Sequence, residues 1–195
     1  MKNRLMATAA AVVALSAPIG MAACGSSATT TSPDPNAAEV SPPGDIPDNQ
    51  VFVPYSPPGS GYQVKIPEGW ARTTRGGAVT FTDKLNSIEL QSGSAQSAPT
   101  TSRGRAEMKS LADSVPGFQA GDVTIAKRSA GDALLITYSG DGPSDPVTGK
   151  SVTDAFERYE FFDKGRLATL TLSGPQGADN VDPWMIVTDS FRWNG

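Results

Sequence analysis

Residues 152–173 read VTDAFERYEFF, then DKG, then RLATLTLS: two strand-length runs separated by a short Gly-containing turn. Each run is rich in β-branched and aromatic residues with a period of two. A connection this short joins antiparallel neighbours only. Within the first run Phe156 and Phe162 point to one face, while Tyr159 and Phe161 point to the other. Both faces carry aromatic side chains, so the sheet they belong to must be covered on both sides.

The pattern continues upstream. DVTIAKR (122–128) and ALLITYS (133–139) read as strands with a turn at Gly131-Asp132, and the longer segment GDGPSDPVTGK separates them from residue 151. Earlier still, VFVPY (51–55), YQVKI (62–66), AVTFT (78–82) and NSIELQ (86–91) are short strands, the last two joined by Asp83-Lys84-Leu85. Two helices interrupt the strands. One starts at Ser102 as N-cap, carries Met108, Leu111, Ala112 and Val115 along one side, and stops at Pro116-Gly117. The other runs from Asp182, with Pro183 as first helical residue, to Phe191, and places Val181, Trp184, Val187 and Phe191 along one side. The expected fold is α+β: an antiparallel β-sheet flanked by helices.

The first 50 residues belong to a different regime. Lys2 and Arg4 precede an apolar run from Leu5 to Leu15, and Pro18 and Gly20 break it before Met21-Ala22-Ala23-Cys24. This is the layout of an export signal, residues 1–23, ending in a lipobox in which Cys24 takes up a diacylglyceryl group. A permanent span and ordinary cleavage after Ala23 are the alternatives. The Ala-rich run broken by Pro18 argues against the first, and the position of the only cysteine in the chain against the second. Residues 24–50 are dominated by Gly, Ser, Thr, Pro and Asp, with no apolar period, and are expected to form a disordered linker. The single globular domain is then 51–195, anchored by lipid to the extracytoplasmic face of the cell membrane.

Charge and composition exclude several kinds of chemistry. From residue 51 onward there are 14 Lys+Arg against 16 Asp+Glu, which is no footprint for nucleic acid. With no histidine in the chain, His-based triads and His-ligated zinc are ruled out. There is no Gly-x-Ser-x-Gly elbow and no Ser-x-x-Lys motif, and Glu157 and Glu160 stand at odd spacing on one strand, hence on opposite faces. Asp141 and Asp145 in the long loop are too few oxygens for a calcium site, and a solvated turn is the preferred reading; Asp179 and Asp182 suit helix capping. No cofactor and no catalytic residue is expected.

Gly61-Tyr62-Gln63-Val64-Lys65-Ile66-Pro67-Glu68-Gly69-Trp70 resembles the G-F/Y-x-ϕ-x-ϕ-P-x-x-W opening of PsbP-like (Mog-type) domains. The close of the chain, from Arg158–Phe162 through Gly165-Arg166-Leu167 to Ser190-Phe191-Arg192-Trp193, is similar too. Among lipoproteins the chain is similar to the actinobacterial LpqN-type group over about residues 60–193. The resemblance implies an α/β/α sandwich and an accessory role, with no catalytic constellation to carry over.

The expected function is therefore a non-catalytic, membrane-anchored accessory protein that binds an envelope protein; the alternative is a carrier for a hydrophobic small molecule or envelope lipid. Trp70, Trp193 and Tyr138 are the residues expected to form a ligand or partner surface, the two tryptophans because each lies at the edge of an element.

Overall fold

The computed structural model describes residues 43–144 and 149–194. The signal, Cys24, most of the linker and Asp145 lie outside the described residues. Among the described residues ten strands and two helices follow one another as β1 (Phe52–Tyr55), β2 (Tyr62–Pro67), β3 (Ala71–Arg75), β4 (Ala78–Asp83), β5 (Asn86–Ser94), α1 (Thr101–Ser114), β6 (Gln119–Arg128), β7 (Gly131–Asp141), β8 (Thr153–Asp163), β9 (Arg166–Pro175), α2 (Val181–Asp189) and β10 (Arg192–Trp193). Seven strands form one antiparallel sheet in the order β3-β4-β5-β9-β8-β7-β6, and β1-β2-β10 form a small second sheet.

The two runs within residues 152–173 form the hairpin β8–β9. Asp163 pairs with Arg166, so Lys164 and Gly165 form the turn, both with positive φ, as a type I′ connection demands. On one face of the large sheet Tyr159 and Phe161 join Leu170, Leu172, Ile88, Leu90, Val79 and Phe81 in the main core. That core is closed by α2 and by the small sheet, through Trp184, Val187, Tyr62 and Val64. Between the layers the rings of Phe161 and Phe191 stack with centroids 4.0 Å apart, with Tyr62 and Trp193 beside them.

The opposite face divides in two. Helix α1 covers the β6–β7 half, where Met108, Leu111 and Val115 pack on Leu134, Ile136 and Tyr138. Ala112, placed on that side by its spacing, is exposed. The other half carries Thr80, Thr82, Glu89, Gln91, Thr169 and Thr171, all polar, at alternate positions of β4, β5 and β9. The fold is thus an α+β sandwich with helices on both sides of an antiparallel sheet, one of them covering only part of its face.

Four expectations need correction. The linker does not run to residue 50: Ile46 is only 4% exposed and belongs to the main core. Its backbone N–H donates to Asn180 Oδ1 at 2.8 Å, and Gly44 O accepts from Asn86 and Asn180 at 2.9 and 3.0 Å. Strand β3 has no apolar alternation to reveal it, since all five side chains are exposed. Helix α1 is capped by Thr100, whose Oγ1 accepts from Arg103 N at 3.2 Å, not by Ser102; the Thr100 backbone is extended, as a cap requires. In α2 the N-cap is Asn180 and not Asp182, and Val181 faces outward.

Candidate functional site

Helix α2 gathers the features that most need a functional explanation. Its inward side is anchored twice. Trp184, Val187 and the following Phe191 enter the core, and Thr188 is held at both ends of its hydroxyl. Thr188 Oγ1 donates to Trp184 O at 3.0 Å and accepts from Arg128 Nε at 2.9 Å. Arg128 lies over the Tyr159 ring, 4.9 Å from its centroid, and donates to the phenol oxygen at 2.6 Å. That phenol in turn donates to Glu157 Oε2 at 2.8 Å. Burial, and next the Glu157 charge, push the Tyr159 phenol above its ordinary range, so it stays a donor.

The outward side of the same helix is apolar. Val181 is 71% exposed, and Met185 and Ile186 are each 45% exposed. They follow from Trp184-Met185-Ile186-Val187: four consecutive apolar residues span more than one helix face, and only Trp184 and Val187 fit inside. Asp182 and Asp189 flank the patch, and Asp179 precedes it. Three large aliphatic side chains in water on a nine-residue helix cost solvation that a monomeric fold does not require.

The residues expected to form a joint surface lie in three separate places. Tyr138 is a correction: it is buried, stacked on Phe156 at 4.6 Å and against Phe118 at 5.6 Å, because β7 turns it under α1. Trp193 is half-buried, edge-on to Phe191, with the Arg166 guanidinium 4.6 Å above its ring. Trp70 is half-buried and lines a cavity of about 200 Å³ with Ile46, Gln50 and Lys84. Neither tryptophan touches the α2 patch through any of these contacts.

A charged cluster lies under the edge of α1. Arg158 Nε donates to Glu107 Oε1 at 2.7 Å, and Arg158 Nη1 to Thr171 Oγ1 at 3.0 Å. Glu160 is 2% exposed, with Arg103 4.0 Å from an Oε2 that has no hydrogen-bond partner. Burial, followed by the charge of Glu107, pushes Glu160 up to about 7. As expected, Glu157 and Glu160 face opposite sides, so they cannot act as an acid–base pair. Among the described residues no group of three His, Cys, Asp or Glu could hold a metal ion. Asp154 is also buried, with Oδ2 unpartnered against Gly142, and burial pushes it up to about 6.

No family model matches the chain, and no curated protein matches it. Solved structures do. A protein of Bacteroides thetaiotaomicron superposes with a TM-score of 0.52 at 11% identity over 73% of this chain; the match spans about half (48%) of that protein's length. The cyanobacterial PsbP of Synechocystis superposes with a TM-score of 0.51 at 16% identity, over 77% of this chain and 98% of its own. LpqN of Mycobacterium tuberculosis, described as involved in cell envelope biogenesis, gives 0.42 at 17% identity, over 74% and 91% of the two chains. With its antiparallel seven-stranded sheet between α1 on one side and α2 with the small sheet on the other, this chain has the PsbP-like fold.

Proposed function

We propose that this is a membrane-anchored, non-catalytic accessory protein of the LpqN-type, which binds another envelope protein through the outward face of α2. The observation that carries the reading is the exposed Val181, Met185 and Ile186. Asp179, Asp182 and Asp189 around them select a partner with an apolar groove rimmed by Lys or Arg. Lipid attachment at Cys24, read from the lipobox, would keep the domain at the membrane where such partners reside. The carrier reading finds less support, because the stacked rings of Phe161, Phe191, Tyr62 and Trp193 occupy the space between helix and sheet.

The test is a photo-crosslinking residue placed at Met185 in the full-length protein in cells, with Lys109 on the exposed side of α1 as control. The expected result is one envelope protein captured from position 185, absent from position 109, and lost when Val181→Asp is added. Identical capture patterns from the two positions would overturn the assignment.

A further inference from the structure

Strand β3 ends the seven-stranded sheet and, among the described residues, pairs only with β4. All five of its side chains are exposed. A strand that buries nothing is held by one ladder of hydrogen bonds, and its far edge offers a second. Which groups it offers follows from the turn. Gly76 and Gly77 have φ of +58° and +85° and connect Arg75 to its partner Ala78, a two-residue type I′ hairpin. Arg75 and Ala78 are then a hydrogen-bonded pair, and by alternation so are Thr73 with Thr80 and Ala71 with Thr82. The N–H and C=O groups of Arg72 and Thr74 therefore face outward, away from β4, with no strand beside them among the described residues.

Charge decides what can occupy that edge. Arg72 and Arg75 project from opposite faces of β3, which has no acidic residue, in a domain where acids outnumber bases. The Arg72 guanidinium rests 5.6 Å from the centre of the Tyr55 ring, at the rim of the core. A second copy of the chain pairing here would bring four guanidinium groups into one short ladder, and like charges across a ladder repel. An extended segment with carboxylates on both of its faces would pair with the same arginines instead. We propose that β3 is a docking edge for an extended, acidic peptide segment of a partner protein, added to the sheet as a further strand. This surface is distinct from the α2 patch and does not depend on it.

The test uses the purified full-length protein in detergent and two fluorescein-labelled heptapeptides, acidic TETVETE and basic TKTVKTK, followed by fluorescence anisotropy. The acidic peptide is expected to bind at least about tenfold more tightly, with affinity falling as salt is raised. Thr74→Pro removes an outward N–H while leaving the bonds to β4 in place, and is expected to weaken acidic-peptide binding about tenfold with an unchanged thermal melt. Arg72→Glu with Arg75→Glu is expected to reverse the peptide preference, which keeps the test decisive should Thr74→Pro fail to fold. Binding of neither peptide overturns the proposal, and leaves the arginines as guards against edge pairing. Equal binding of both peptides, or indifference to Thr74→Pro in a folded protein, overturns it as well.

Discussion

Asn180 stands at the N-cap of α2 yet makes no cap bond with its side chain. Its amide instead donates to Gly44 O and to Asn86 Oδ1, both at 3.0 Å, while its oxygen accepts from Ile46 N. Donor and acceptor are both needed. Asn180→Ala leaves buried groups of Gly44, Ile46 and Asn86 short of partners and is expected to cost about 2–4 kcal/mol in urea unfolding. Asn180→Asp is expected to cost more at neutral pH, because a carboxylate would face two oxygens it can only repel. Gly174 makes the arrangement possible, since a Cβ there would collide with the Asn86 side chain. None of this was legible in the sequence: two asparagines 94 residues apart carry no period and no spacing. Glu160 and Asp154 set the pH response at the same scale. Both are raised in the folded state, to about 7 and about 6, above their unfolded values. The folded protein therefore binds more protons than the unfolded chain between about pH 4 and 7. Their contribution to stability is fully present below the unfolded values and is lost as pH rises through the folded ones. Glu160→Gln is expected to flatten the fall in unfolding free energy between pH 5 and 8, read from urea titrations, by about 1–2 kcal/mol. A midpoint that rises over this range in the parent and is unaltered by the substitution would contradict the assignment.

At the scale of elements, the strands with an inward apolar row were readable and those without one were not. β8 and β9 announce themselves because each carries an inward apolar row at alternate positions, whereas β3 buries nothing and shows no alternation. The error at Val181 has a similar origin. Trp184 and Val187 were placed correctly, but one stripe cannot hold every apolar residue of α2, and the surplus becomes the proposed docking face. Helix α1 shows how closely an element can sit without a large side chain. Gly104 is its one buried residue, and a Cβ there would lie 2.6 Å from Val123 Cγ1 and 3.2 Å from Leu134 Cδ1. Alanine would gain about 1 kcal/mol of helix propensity. A branched valine held in β6 cannot yield by that distance without moving the strand, at about 1–3 kcal/mol. Gly104→Ala is therefore expected to lower the thermal midpoint by a few degrees despite better propensity. A rise would mean that α1 floats on the sheet.

For the whole molecule, the place where the domain begins governs how a membrane anchor would act on it. Composition alone puts the end of the linker at residue 50, because Pro43-Gly44-Asp45-Ile46-Pro47 looks like the segment before it. One apolar residue in a polar stretch is too little to detect, but Ile46 is enough to dock once Asn86 donates to Gly44 O and Asn180 accepts from Ile46 N. Asp45 adds to this by accepting from Asp179 N at 3.0 Å, at the threshold of α2. The chain arriving from residue 42 is thus fastened beside the N-terminus of the helix proposed to meet the partner. A chain beginning at residue 51 loses the burial of Ile46, about 1.5–3 kcal/mol, and strands the two asparagine amides, at about 1–3 kcal/mol each. Against a total stability of about 5–15 kcal/mol, that loss is large enough to measure and can unfold a marginal domain. Two soluble versions, starting at residues 40 and 51, should therefore differ by about 4–9 kcal/mol in urea unfolding, with the shorter one the weaker. In the longer version, Asn86→Ala should reproduce a large part of the same deficit, because it removes one jaw of the grip. Equal midpoints for the two lengths would show that residues 43–50 lie on the domain without holding it, and would free the anchor from any influence on α2.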